Sequence, residues 1–282
     1  MASVSTAARD VLTGELAGLV ALSPDGDAHL DAQLRVTCAR ALSLPTVPAE
    51  AAATDTSTVA TEFAEQFSTD VAELTADQRT RFLAAFGRKA FSIAALTFIA
   101  DYVPRVKAGL DALGVLWQIE PIDWDRSTEP ADALLNVFAP AVARLRGLDP
   151  VTTEVVRLRG AVQHNCRLCR SRREVSALEA GGSESLYDDI ERYETSELLD
   201  ERHKAALRYV DALIWTPAQI DTETVAGVHA HYSSDEAIEL TLDVMRNATN
   251  KIAVALGGDT PNVTDGVEHY LLDVDGQVRD AQ

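Results

Sequence analysis

Between Arg88 and Leu113 the aromatic residues Phe91, Phe98 and Tyr102 recur at steps of seven and four, the spacing that stacks side chains on one face of an α-helix. A stripe of this kind marks a core or a subunit interface rather than a cofactor site. The longest apolar run, Ala90 to Ala100, includes Ser92 and Thr97 and is too short to cross a bilayer. Just upstream, Thr75-Ala76-Asp77-Gln78 carries a hydroxyl and an amide at the separation of a capping box, so a helix opens there.

Helical periodicity continues on both sides. Residues 8 to 22 and 30 to 43 read as amphipathic helices separated by the turn Ser23-Pro24-Asp25-Gly26-Asp27, and the Ala, Thr and Pro of Pro45 to Ser57 read as a loop. A helix from Thr58 towards Val71 carries Phe63 and Phe67. Trp117, Pro121, Trp124 and Pro130 mark a connection, after which Asp132 to Arg146 is helical and Pro150 suits the first position of the next helix. Glu184 to Arg192, Leu198 to Leu213, Thr224 to His231 and Asp235 to Leu256 complete an all-α pattern, with a small hairpin around Asp275-Gly276. His229 and His231 would point to different sides of their helix, which fits a surface better than a metal site.

A weak internal repeat runs through this pattern. Thr58-Val59-Ala60 with Phe67 resembles Thr224-Val225-Ala226 with Tyr232, and Thr75-Ala76-Asp77-Gln78 resembles Ser233-Ser234-Asp235-Glu236. Two units are expected, residues 1–125 as a degenerate helical copy and residues 126–282 as the unit with the paired cysteines.

The formal net charge of -19 and pI near 4.6 argue against nucleic acid or an anionic membrane as partner. Three cysteines do not make a disulfide framework and fit a reducing cytosol, and the first thirty residues show no secretory signal, so a cytoplasmic location is expected.

The chemistry concentrates at His164-Asn165-Cys166-Arg167-Leu168-Cys169. Two thiols three residues apart on a helix can close a disulfide without large backbone movement. Arg157, Arg159, Arg167, Arg170, Arg172 and Arg173 surround them with no intervening Asp or Glu, and cationic neighbours favour the thiolate. If Asn165 caps a helix beginning at Cys166, the helix terminus adds to that field. The alternatives are two buried structural thiols, or half of a metal site using His164, Cys166 and Cys169. The remaining cysteine, Cys38, lies on an apolar helical pattern and reads as core, and Arg170 stands where haem attachment needs histidine.

Glu154, Cys166 and Cys169 at this spacing, followed by Gly181-Gly182 and by the segment from Leu199 through Pro217, Ser234-Asp235-Glu236 and Asn247 to Leu256, resemble the alkylhydroperoxidase D-like branch of the carboxymuconolactone decarboxylase family. The resemblance covers roughly residues 130 to 260 and implies an all-α peroxidase fold, with the front half as a degenerate copy of the family's helical unit. It implies that Cys169 attacks the peroxide, Cys166 resolves the sulfenic acid and Glu154 relays protons, with no metal or organic cofactor. Turnover would use a dithiol donor such as a lipoamide-bearing or peroxiredoxin protein.

Where the family's relay has histidine, this chain has Arg173, which keeps its charge and cannot shuttle a proton at neutral pH. His164 could substitute only if the chain breaks at Asn165, and otherwise reads as a surface or capping residue. Asn247 and Asn250 fall near the family's site-lining helix and could orient water or Glu154. A covalently attached copy would replace one subunit contact, so a homodimer or homotrimer is expected. Two rivals stand beside this reading: lactone decarboxylation, which in this family works without a redox CxxC, and a noncatalytic partner-binding or metal-sensing helical module.

Overall fold

The computed structural model describes residues 7–55, 57–119 and 122–281. The chain opens with α1 (Ala7–Thr13), α2 (Glu15–Ala21), α3 (Ala28–Leu42), α4 (Thr58–Thr69), α5 (Ala76–Phe86) and α6 (Ala90–Ala112). After the connection come α7 (Pro130–Asp132), a π-helical stretch (Ala133–Phe138), α8 (Ala139–Ala143), α9 (Pro150–Gln163) and α10 (Arg167–Arg170). Strand β1 (Arg172–Glu174), α11 (Val175–Glu179), α12 (Glu184–Asp188), α13 (Glu201–Trp215), α14 (Thr222–His231), α15 (Ser234–Ala248) and α16 (Asn250–Leu256) follow. Strands β2 (Glu268–Leu272) and β3 (Val278–Asp280) close the chain. The architecture is mostly helical, as the periodicity implies.

Both capping boxes form: Thr75 with Gln78 opens α5, and Ser233 with Glu236 opens α15. Pro150 stands at the start of α9 behind the N-cap Asp149. Other boundaries differ. The helix expected over 8–22 breaks at Gly14, the one over 235–256 breaks at Thr249, and 184–192 holds only a short α-helix followed by 3-10 turns. Pro121, expected in the connection, lies outside the described residues.

The anticipated hairpin at Asp275-Gly276 is real, but it is not alone. Strand β2 also pairs in parallel with β1, so that Arg172, Arg173 and Glu174 sit opposite Glu268, His269 and Tyr270. A strand immediately after the CxxC replaces the continued helix of the sequence reading. No alternating pattern announces so short a strand, because its partner lies almost a hundred residues away.

Helix α6 is the hub. Its Phe98 and Tyr102 are fully buried, whereas Phe91, on the same stripe, is 47% exposed. It packs against α3, α4, α13, α15 and α16, and one apolar cluster runs from α1 to α16. Residues 1–125 and 126–282 therefore share a core. The helical run Ala76–Ala112 is long and apolar enough by length and composition to cross a membrane, which the shorter run 90–100 did not suggest. Here α6 works as a core helix, with half of the most apolar window of that run buried in the fold.

Polar groups inside that core are organised around α6. Asp101 pairs with Arg105 one turn on and with Lys251 of α16, all three sealed from solvent. Arg105 donates to the carbonyls of Ser68 at the end of α4 and of Leu213 and Ile214 in the last turn of α13. Those carbonyls have no intrahelical donor and would otherwise be orphaned. Asp101→Ala leaves two buried cations uncompensated and should lower unfolding free energy by about 3–5 kcal/mol, read from urea denaturation.

Lys251 adds a pH signature. Burial, only partly offset by Asp101, pulls its ammonium down from 10.5 to about 8. Below that value both folded and unfolded chains hold the proton. Between it and the ordinary lysine range only the unfolded chain does, so stability rises with pH across that window. Lys251→Met should flatten this rise in urea midpoints measured from about pH 8 to about pH 10.

Candidate functional site

The CxxC turn begins with the way α9 ends. Asn165 adopts a left-handed conformation, φ 51°, the Asn165 N–H donates to Val162 O and the Cys166 N–H to Ala161 O. This is a Schellman termination, with asparagine in the place glycine most often takes. The chain therefore does break at Asn165. It reverses so tightly that Cys166 both completes the stop of α9 and becomes the N-cap of α10, its own sulfur accepting the Cys169 N–H at 3.3 Å. Asn165 is not the cap the sequence reading gave it.

Cys166 and Cys169 are joined as a disulfide with Cα atoms 5.3 Å apart. Cys166 is fully buried, while Cys169 remains partly accessible. Cys38 is buried elsewhere, its thiol 3.8 Å from Thr97 O, and burial reinforced by Asp101 pushes it up to about 12.

The arginines do not form a free positive field. Each has its own carboxylate: Arg157 with Glu154, Arg159 with Asp211, Arg167 with Asp259, Arg170 with Glu191, Arg172 with Asp280 and Arg173 with Glu184. All six acids lie outside the 157–173 stretch, Glu154 three residues before Arg157 and the others 11 to 108 residues from their arginines, which is why that stretch looked uncompensated. Arg173 lies on β1, held by Glu184 and donating to the carbonyls of Arg170 and Arg172, so it is not one helical turn beyond Cys169.

Glu154 is 2% exposed and clamped by Arg157 through both oxygens, at 2.6 and 2.7 Å, and it accepts the Glu174 N–H. Arg157 in turn donates to the carbonyl oxygens of Cys169, at 2.8 Å, and Arg172, at 2.6 Å. The carboxylate thus reaches the CxxC turn through a guanidinium.

His164 is the C-cap of α9, as one reading allowed, but it is buried rather than at the surface. Its Nδ1 lies 2.9 Å from Asn250 Oδ1 and its Nε2 3.3 Å from the Tyr102 hydroxyl. Burial first, and then the nearby Lys251 charge, hold its pKa well below the ordinary range, so the ring is neutral. The amide oxygen requires the Nδ1–H tautomer, which leaves Nε2 to accept from Tyr102. Asn250 orients His164, not Glu154, and Asn247 lies against the Asp243 carboxyl. Of the three candidate metal ligands, His164 has both ring nitrogens engaged, and Cys166 and Cys169 are bonded to each other.

One element escaped the sequence reading. Glu154 also lines a cavity of about 560 Å³, together with Glu174, Glu239, Asp243, Arg246 and Tyr270 among others. Neither sulfur lines it. The Asp243-x-x-Arg246 spacing, repeating that of Glu154-x-x-Arg157, was the available signal.

Fold and site together define a mostly helical protein with a CxxC disulfide at a helix reversal. The chain is 55% identical over 272 residues to the uncharacterized protein Rv2313c of Mycobacterium tuberculosis strain H37Rv, covering 93% of this chain and 95% of that protein. It matches the uncharacterized protein MT2376 of strain CDC 1551 to the same extent, and it belongs to the family of these two proteins. No family model matches the chain, and no solved structure does.

The burial pattern sets an order of reactivity. After reduction, native-state alkylation with iodoacetamide should label Cys169 first, while Cys166 and Cys38 react only on unfolding. Peptide mass mapping reads that order.

Proposed function

We propose that this chain is a thiol-disulfide oxidoreductase working through Cys166 and Cys169, with peroxide as an electron acceptor. The observation that carries the reading is the asymmetry of the pair: two sulfurs bonded across one turn, one reachable and one sealed. Attack from outside then falls on Cys169, and its partner waits inside. The resemblance to the alkylhydroperoxidase D-like proteins supports the same assignment.

In the reductive half, a donor dithiol attacks Cys169 Sγ as thiolate, the Cys166–Cys169 bond breaks and Cys166 leaves as thiolate. The donor's second thiol then attacks the mixed disulfide, leaving the donor oxidised and both cysteines reduced. In the oxidative half, Cys169 thiolate attacks the distal oxygen of a hydroperoxide, the O–O bond breaks and the alcohol departs with a proton. Cys166 condenses with the sulfenic acid, expelling water and restoring the disulfide. A lipoamide-bearing or peroxiredoxin protein has the donor chemistry this needs.

Glu154 acts in this scheme by holding Arg157 on the Cys169 carbonyl. His164, neutral and locked to Asn250 and Tyr102, fixes the entry to the turn. Lactone decarboxylation has no use for the vicinal sulfurs, and a noncatalytic module would leave them inert.

Mass spectrometry of the reduced protein after stoichiometric hydrogen peroxide decides among these. A loss of two hydrogens localised to Cys166 and Cys169 is expected. Cys166→Ser should accumulate a dimedone-reactive sulfenic acid on Cys169, and Cys169→Ser should lower dihydrolipoamide-dependent peroxide turnover by at least about a hundredfold. Unchanged turnover in Cys169→Ser would sink the proposal.

A further inference from the structure

Among the described residues, four acid–arginine pairs within single helices are buried: Asp31–Arg35, Asp101–Arg105, Glu154–Arg157 and Asp243–Arg246. In three of them the terminal guanidinium nitrogens bond to protein oxygens. Arg35 donates to Val20, Leu22 and Pro48, Arg105 to Ser68, Leu213 and Ile214, and Arg157 to Cys169 and Arg172. Arg246 is the exception. Its Nε donates to Asp243 Oδ1 at 2.8 Å, and among the described residues no oxygen accepts from its two terminal nitrogens. It is 9% exposed and lines the cavity described above.

Other groups on the same wall are also unspent. The Tyr270 hydroxyl has no hydrogen-bond partner among the described residues, although Arg157 and Arg172 pack on its ring. Burial pushes its phenol upward, so it stays a donor. Glu174 uses Oε2 to cap α11 and bond Ser176, and among the described residues no donor reaches its Oε1, while Asp243 gives Oδ1 to Arg246 and has the Asn247 amide beside it. A guanidinium fork, a phenol and a carboxylate oxygen with spare hydrogen-bonding capacity on the wall of one void of this size mark a place suited to a guest.

The unspent groups are of two kinds. A guanidinium fork and a phenol ask for an oxyanion, the fork being suited to a carboxylate. The unspent carboxylate oxygens ask for a cation, and the wall carries more carboxylates than guanidiniums, which disfavours a purely anionic guest. We infer that the cavity binds a small zwitterion of the α-amino acid type, its carboxylate held by Arg246 and Tyr270 and its ammonium by the Glu174 and Asp243 side. Neither sulfur lines this space, so the site stands apart from the thiol chemistry.

Isothermal titration of the whole protein with a panel of L-amino acids tests this, with acetate, methylammonium and inorganic phosphate as separate probes. At least one amino acid is expected to bind, and none of the three simple ions at the same concentration. Tyr270→Phe keeps the ring under Arg157 and Arg172 and removes only a hydroxyl with no protein partner, so it should fold normally and weaken binding about tenfold. Asp243→Asn combined with Arg246→Gln removes both charges at once and should abolish binding. Cys169→Ser should bind as the native chain does. The inference is overturned if no amino acid binds, if phosphate or acetate binds as tightly, or if Tyr270→Phe binds unchanged. The tyrosine variant decides the matter should the double variant unfold.

Discussion

The structure depends on one guanidinium. Arg105 sits in the middle of α6, balanced by Asp101, and reaches carbonyls at the ends of two helices that are far apart in sequence, α4 and α13. Those carbonyls can be buried only because a donor meets them there. Lys251 brings α16 to the same carboxylate, and its ammonium lies over the rings of Phe67 and Tyr102. Buried charges of this kind stabilise little compared with an apolar core, but a misplaced partner is severely penalised, so they select one arrangement of helices over its neighbours.

The same device recurs at smaller scale. An acid holds an arginine one turn away, and the arginine's far end closes carbonyls belonging to another segment. At Arg35 it closes the end of α2 and the loop at Pro48, and at Arg157 it closes the CxxC turn and β1. Helices α3, α6 and α9 each carry a donor to a neighbouring segment in this way. Near the sulfurs, Arg157 spends its charge on Glu154 and its remaining donors on the Cys169 and Arg172 carbonyls.

Much of the helical framework was legible because its signals are local. Capping boxes at Thr75 and Ser233, Pro150 at a helix start and the Asp275-Gly276 turn each rest on chemistry within four residues. The features that escaped rest on distance. Arg157 to Arg173 read as a cationic patch because Asp211, Asp259, Glu184, Glu191 and Asp280 are remote in sequence. Strand β1 depends on Glu268 to Tyr270, and the cavity on residues of α9, β1, α15 and β2 together. The left-handed bend at Asn165 lay between. Asparagine permits it, but only the Cys166 and Asn165 amides finding Ala161 and Val162 make it certain.

The parallel pairing of β1 with β2 also bears on biosynthesis. Ser171 O accepts the Glu268 N–H, and Tyr270 lies beneath the two arginines that brace the segment after Cys169. On a ribosome, both cysteines leave the exit tunnel long before those residues are made. For that interval the nascent polypeptide presents its thiols without the strand that later braces them.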